Sequence, residues 1–248
     1  MVRDDAQNRR DLNSVSTVAE DERLESALHR GNFLDPGKGR IQPVKDLSGI
    51  NSIQIPPDWL KVEKNSPLGD STIFRHSLND NTQISFYSDR SPTDPKSASV
   101  FKSLVDSAGP TPKLLYGKSS HASNEANIHI IKQLSDALGS TLVGDNQLTA
   151  GNERTPAFHL DSARVETING KNVIAVDGWF SRLDDKADVI MDSNGPAKRR
   201  YTGIFFDSAA AHSKETKIKE LYLLADDNIS FVGNKATFKT ALKSIEWK

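Results

Sequence analysis

The segment "NVIAVDGWFS", residues 172–181, leaves this chain few ways to fold. It follows "AFHLDSARVETI" after a single Asn169–Gly170 pair, the favoured two-residue hairpin turn, so residues 157–181 read as a β-hairpin. In the second arm, Ile174, Val176 and Phe180 point one way while Val173, Ala175 and Trp179 point the other. "KIKELYLLA" repeats the pattern, with Leu221 and Leu223 opposing Tyr222 and Leu224. A sheet apolar on both sides must be covered on both sides, most simply by helices. Its consecutive hairpin-like connections make it mainly antiparallel. The expected fold is therefore α+β, an antiparallel sheet with helices on both faces (an α/β/α layered sandwich).

The remaining elements fit around that sheet. In "SIQIPPDWLKVE", Ile53 and Ile55 alternate with polar residues, Pro56–Pro57 ends the strand, and Trp59 anchors the next segment. "STIFRHS" and "TQISFYSD" form a second hairpin through "LNDN". "DPKSASVFKSLVDSAG" reads as a helix capped by Asp94, with Pro95 in the first turn, Gly109 past the end, and a stripe of Val100, Phe101, Leu104 and Val105. A less regular segment, about 110–156, carries a second helix ending at "LSDALGS". "RRYTGIFFDS" continues the sheet, and "NKATFKTALKSIEW" closes the chain as a helix with Phe238, Ala241, Leu242 and Ile245 at helical spacing.

Residues 1–45 read differently. Eight acidic and eight basic side chains accompany one aromatic, Phe33, too little apolar area to offset the entropy of ordering. A flexible tail is expected there, with one short helix over "TVAEDERLESALHR" and a linker at "LDPGKGR". The folded domain is expected over 46–248, with 110–156 as an inserted helical segment. With 32 basic against 33 acidic residues, the chain lacks the surplus that grips nucleic acid or anionic lipid. It has no cysteine, which excludes disulfides and thiolate chemistry. No apolar run approaches the ~20 residues of a membrane span, and "MVRDDAQNRRDLNSVS" has no apolar core of a secretory signal. A soluble protein is expected, either cytoplasmic or belonging to the envelope or exterior with a signal or anchor missing from this sequence.

"IQIPPDWLKVE", "VETINGKNVIAVDGWF", "RRYTGIFFDS", "KIKELYLLADD" and "ATFKTALKSIEW" together resemble the PsbP-like family over roughly 50–105 and 157–248. That family includes an extrinsic photosystem II subunit, a Ran-binding import factor and small bacterial envelope proteins. The resemblance is one of pattern. It implies the layered fold and a partner-binding or accessory role, and it carries over no catalytic residues. Segment 110–156 departs from it, being longer and more helical.

Several residue groups carry possible chemistry. On a helix from about Ser120 to Leu138, His121, Glu125 and His129 recur every four residues, a spacing at which imidazoles and a carboxylate can share a metal ion. They lie nearly opposite the apolar side formed by Ala126, Ile130, Leu134, Ala137 and Leu138, so a solvated stripe is expected. "GKSS" at 117–120 is no phosphate-binding loop: Pro112 stands where glycine is required, and no apolar strand leads into it. The long connection "RLDDKADVIMDSNGPAKRR" begins acidic and ends in Lys198, Arg199 and Arg200, which are expected to contact a partner. His76, His159 and His212 are scattered, and His159 reads as a strand residue. Asp177 is the carboxylate inside an otherwise apolar run; buried, it would need a partner such as an arginine or a backbone donor, and with Arg164 it is the candidate polar site, a strand-end position being the simpler reading. No cofactor is implied. The expected function is non-enzymatic binding or accessory work through protein-surface recognition. The alternative is an enzyme or small-ligand binder with a pocket between the sheet and the 110–156 insertion.

Overall fold

Asn169 and Gly170 reverse the chain at φ 46° and 83°, the positive values that a two-residue hairpin loop needs, and bring Ile168 opposite Lys171. The rest of the sheet builds outward from this hairpin. The computed structural model describes residues 42–66, 69–89, 93–109, 111–117, 124–138, 158–182, 189–192, 195–209, 213 and 215–248. Of the tail expected over 1–45, residues 1–41, with the expected helix, lie outside them. In order, the elements are β1 (Gln42–Leu47), β2 (Ile50–Ile55), β3 (Trp59–Ser66), β4 (Gly69–His76), β5 (Asn79–Asp89) and α1 (Pro95–Val105). Then come β6 (Lys113–Gly117), α2 (Asn124–Leu138), β7 (Phe158–Ile168), β8 (Lys171–Ser181), β9 (Met191–Asp192) and β10 (Gly195–Pro196). β11 (Lys198–Asp207), β12 (Ile218–Asp226), α3 (Ser230–Lys243) and β13 (Glu246–Trp247) complete the chain.

Eight strands form the main sheet in the order β3-β4-β5-β12-β11-β8-β7-β6, and a smaller sheet runs β1-β2-β13. Every pairing among the described residues is antiparallel. The molecule is thus α+β with a mainly antiparallel sheet. Alternate side chains of its central strands enter two separate clusters. Val173, Ala175, Ile204, Phe206, Leu221 and Leu223 join Phe238, Ala241 and Leu242 of α3 and Ile50 and Ile53 of β2. Ile174, Val176, Tyr201 and Phe205 join Phe101 and Leu104 of α1 and Leu134 and Ala137 of α2.

α1 starts where Asp94 Oδ1 accepts from the backbone N–H groups of Lys96 and Ser97, both at 3.0 Å. It is tied to α2 by Ser97 Oγ donating to the Asp136 carbonyl at 2.6 Å and by Lys96 Nζ 3.2 Å from Asp136 Oδ1. Among the described residues no helix is long and apolar enough to cross a membrane.

Several local expectations are corrected. A strand does lead towards "GKSS": β6 pairs with β7 at the sheet edge, where Lys113 and Leu114 are exposed and the apolar run is too short to show. β1 begins at Gln42, ahead of position 46, and pairs with β2. The last helix spans 230–243 rather than starting near 234 and running to the end. Ile245 is buried beyond it, and Glu246 and Trp247 pair with β2. Apolar spacing cannot separate a helix end from a two-residue strand that feeds the same core.

Gly203 on β11 is a packing requirement. A Cβ there would lie 2.5 Å from the Tyr201 hydroxyl and 2.8 Å from both its ring and Tyr222 Cβ. The ring of Tyr201 crosses this bare stretch of backbone. Gly203→Ala should therefore destabilise the fold by about 1–3 kcal/mol through overpacking, read as a lower urea midpoint with an unchanged slope.

Candidate functional site

The polar residues of the sheet gather into two clusters, one on each face. The first is centred on Asp177 of β8, flanked by Ala175 and Trp179 along its own face and opposed by Thr202 on β11. Arg164, two strand positions from that level on β7, sends Nη1 to within 3.1 Å of Asp177 Oδ2 while its Nε lies 2.9 Å from Glu166 Oε2. Lys235 of α3 approaches from above, its Nζ 3.1 Å from Asp177 Oδ1. Ser162 Oγ donates to Oδ2 at the long distance of 3.5 Å. Burial by itself would raise the Asp177 pKa; Lys235 and Arg164 outweigh it and bring the group down to about 2. Arg164 is correspondingly raised: burial disfavours its charge, and Asp177 and Glu166 more than restore it.

This arrangement keeps Asp177 ionised and makes it a poor proton acceptor. Its evident work is to join β7, β8 and α3 by charge. Above it on the same face, Trp179 is covered on one side by His159, stacked at 3.7 Å and 10°, and Lys198 Nζ lies 4.8 Å from its centroid. Arg200 Nη1 lies 3.2 Å from Asp161 Oδ2, Arg200 Nε lies 3.7 Å from Asp227 Oδ1, and the guanidinium sits 5.5 Å from the Phe231 ring.

The second cluster lies on the other face, among the residues packed with α1 and α2. Tyr201 donates its hydroxyl to Glu220 Oε1 at 2.6 Å and stacks on Tyr222 at 5.4 Å between centroids. Burial raises the Glu220 carboxyl to about 7, and the Tyr201 hydrogen bond, which favours the carboxylate, recovers only part of that shift. Burial first, and the neighbouring Glu220 second, also hold the Tyr201 hydroxyl well above its ordinary value. Glu220 is thus a carboxyl that can keep or release its proton near neutrality.

The structure brings Asp177 and Arg164 into contact. It does not bring Lys198, Arg199 and Arg200 to one patch. They open β11 rather than ending a loop, so alternation puts Lys198 and Arg200 on the Asp177 face and Arg199 on the other. Arg199 Nη2 donates to the Asn81 carbonyl at 2.7 Å, beside the Arg182–Asp226 pair. His121 lies outside the described residues, while His129 is exposed on α2. Among the described residues no three His, Asp or Glu side chains gather as a metal site. Lys235 and Glu220 are the site residues that sequence reasoning missed. Glu220 carries a signal, since it shares the alternating face of Tyr222 and Leu224 just as Asp177 shares that of Ala175. Lys235 carries none, because only the docking of α3 brings it to the sheet.

No protein-family model matches the chain, and no curated protein matches it. Among solved structures it is similar to the solution structure of cyanobacterial PsbP from Synechocystis sp. PCC 6803, at 15% identity and a TM-score of 0.45, over 88% of this chain and 100% of that one. It is also similar to the crystal structure of LpqN, involved in cell envelope biogenesis of Mycobacterium tuberculosis, at 10% identity and a TM-score of 0.33, over 84% of this chain and 86% of that one.

The two carboxyls act oppositely on stability as pH changes. Asp177 is depressed from 3.8 to about 2, so its contribution is present above pH 3.8 and is lost as pH falls through about 2. Glu220 is raised from 4.5 to about 7, so its contribution is full below pH 4.5 and is lost as pH rises through about 7. The acid limb amounts to about 2 kcal/mol and the other to about 3 kcal/mol. Urea unfolding from pH 2 to 8 should give maximal stability near pH 4, with Asp177→Asn flattening the acid limb and Glu220→Gln the other.

Proposed function

We propose that this chain is a non-enzymatic binding or accessory protein that recognises a protein partner through one end of its main sheet. The observation that carries this reading is where the exposed apolar side chains lie. The β4–β5 turn, the β8–β11 connection and the β12–α3 junction all emerge at the end of the sheet marked by Asn81, Arg199 and Asp226. Leu78 in the first is 89% exposed, Val189 and Met191 in the second are 46% and 66% exposed, and Ile229 in the third is 92% exposed. Large apolar side chains held in water at one end of a sheet mark an interaction surface.

Among the described residues beneath them the backbone is hydrogen-bonded to the strand ends. Ile190 N donates to the Arg182 carbonyl and Ala197 N to the Ile190 carbonyl, which folds the connection back on the strand ends. Asn81 Nδ2 donates to Asp226 Oδ2 at 3.2 Å. An ordered surface loses less entropy on binding than a mobile one. In this reading Arg199, at that end of the sheet, supplies charge beside the apolar residues, while Lys198 and Arg200 lie on the opposite, Asp177 face. The domain expected over 46–248, extended at its start to take in β1 from Gln42, acts as one unit with 110–156 inserted, and the two core clusters support a three-layer α/β/α arrangement.

One observation favours a second reading, an enzyme or small-ligand site between the sheet and the 110–156 insertion. Glu220, half-buried on the face that packs with α1 and α2, has its carboxyl raised to about 7 by desolvation, and such groups concentrate at functional sites. One experiment separates the readings. Photo-reactive side chains are placed at 78, 191 and 229, and at 114 on the far sheet edge as a control, and cross-linked in extract. The surface reading expects one shared partner from the first three positions and not from 114. Leu78→Ser with Ile229→Ser should then weaken its binding about tenfold or more. No shared adduct, together with a metabolite thermal shift abolished by Glu220→Gln, would sink the surface reading in favour of the second.

A further inference from the structure

The residues that turn the β7–β8 hairpin also hold the end of the chain. Asn169 is exposed, yet its Nδ2 donates to the Lys243 carbonyl at 2.9 Å and to the Ile245 carbonyl at 2.7 Å. Lys243 is the last residue of α3, and its carbonyl is among those a helix end leaves without an intrahelical partner. Beside it, Trp247 Nε1 donates to the Ile168 carbonyl at 2.7 Å, and the Lys171 ammonium lies 4.8 Å from the Trp247 ring centroid. One neutral side-chain amide thus latches both the end of α3 and the entry to β13 onto the hairpin tip.

We propose that Asn169–Gly170 is a site of spontaneous deamidation, and that its conversion unlatches the C-terminal residues from the hairpin. The chemistry needs only water and a solvent base. After losing its proton to the base, the Gly170 backbone nitrogen attacks the side-chain carbonyl carbon of Asn169. The new N–Cγ bond forms, the Cγ–Nδ2 bond breaks, and Nδ2 leaves as ammonia with a proton from solvent. Water then opens the cyclic imide at either carbonyl, giving aspartate or isoaspartate, and nothing is oxidised or reduced. Gly170 offers no side chain to block the attack, and even a Cβ built there would meet nothing within 4 Å.

The latch itself governs the rate. Ring closure draws the side-chain amide off both carbonyls, so conversion proceeds from states in which the end of α3 and β13 have opened locally. The product cannot relatch. An ionised carboxylate has no N–H to donate and sets negative oxygens against two carbonyl oxygens. Isoaspartate also adds a backbone atom between Ile168 and Lys171, whose pairing sets the hairpin register. This site is separate from the proposed recognition surface.

The test ages the full-length chain in mildly alkaline buffer and follows conversion by peptide mapping with mass spectrometry and an isoaspartate-specific assay. The same chain unfolded in urea serves as chemical reference, and Asn194–Gly195, the other such pair in the sequence, is read in the same digests. The expected result is conversion at 169 in the folded protein, slower than in urea. The converted fraction should show faster hydrogen exchange at the Trp247 indole N–H and a lower melting temperature. Trp247→Phe, which removes the donor to Ile168, should speed conversion at 169 several-fold and leave 194 unchanged. Asn169→Asp should reproduce the loss of Trp247 protection directly; if that variant does not fold, the aged wild-type fraction supplies the same readout. No conversion at 169 in the folded chain over a period in which the urea-unfolded chain converts overturns the site. Conversion with Trp247 exchange unaltered, or a Trp247→Phe rate at 169 equal to wild type, overturns the latch.

Discussion

Strand β11 is buried on both faces, from Tyr201 through Phe206 without interruption, and much of the described fold depends on that. Its side chains serve two cores at once. Ile204 and Phe206 meet α3 and the small sheet, while Tyr201 and Phe205 meet α1 and α2. Each fully buried side chain of this size contributes about 1.5–3 kcal/mol. No register slip is tolerable here, because moving β11 by one residue would exchange every one of these side chains between the two clusters. The pairing with β8 and β12 is held by packing at least as firmly as by its hydrogen bonds.

Charges in such a sheet must be paired or neutralised, and the two faces use different solutions. Asp177 stays ionised between Arg164 and Lys235, which turns a buried charge into a tie between strand and helix. Glu220 has no cation among its named neighbours, and burial raises it towards neutrality while Tyr201 satisfies one of its oxygens. The first arrangement resists acid and the second yields as pH rises. A related division appears at the hairpin tip. Asn169 holds the end of α3, and Asn172 Nδ2 donates to the Val105 carbonyl at 3.1 Å at the end of α1. The turn and the first residues of β8 therefore hold helix ends belonging to both cores.

Much of this was legible one segment at a time. Asn169–Gly170, Asp94 with Pro95, and the two-faced alternation of residues 173–180 each declare a local structure, and each is found. The need of Asp177 for a partner follows from the same alternation, since a carboxylate buried in an apolar strand is costly alone; that Arg164 meets it is a contact of the folded chain. The elements that escaped are short or at edges. β6 and β13 carry too few apolar residues to show a period. The grouping of Lys198, Arg199 and Arg200 in sequence concealed that a strand sends neighbours to opposite faces.

By itself the sequence determined the central strands, that they must be covered twice, and which carboxylate would need a partner if buried. These are consequences of alternation and turn chemistry, which act over a few residues. Only the tertiary structure decided that Lys235 reaches Asp177, that Glu220 is closed in against Tyr201, and that Asn169 grips the end of a helix more than seventy residues away. Those contacts depend on where the helices dock, and docking is set by the summed packing of many side chains. No short stretch of sequence contains that sum.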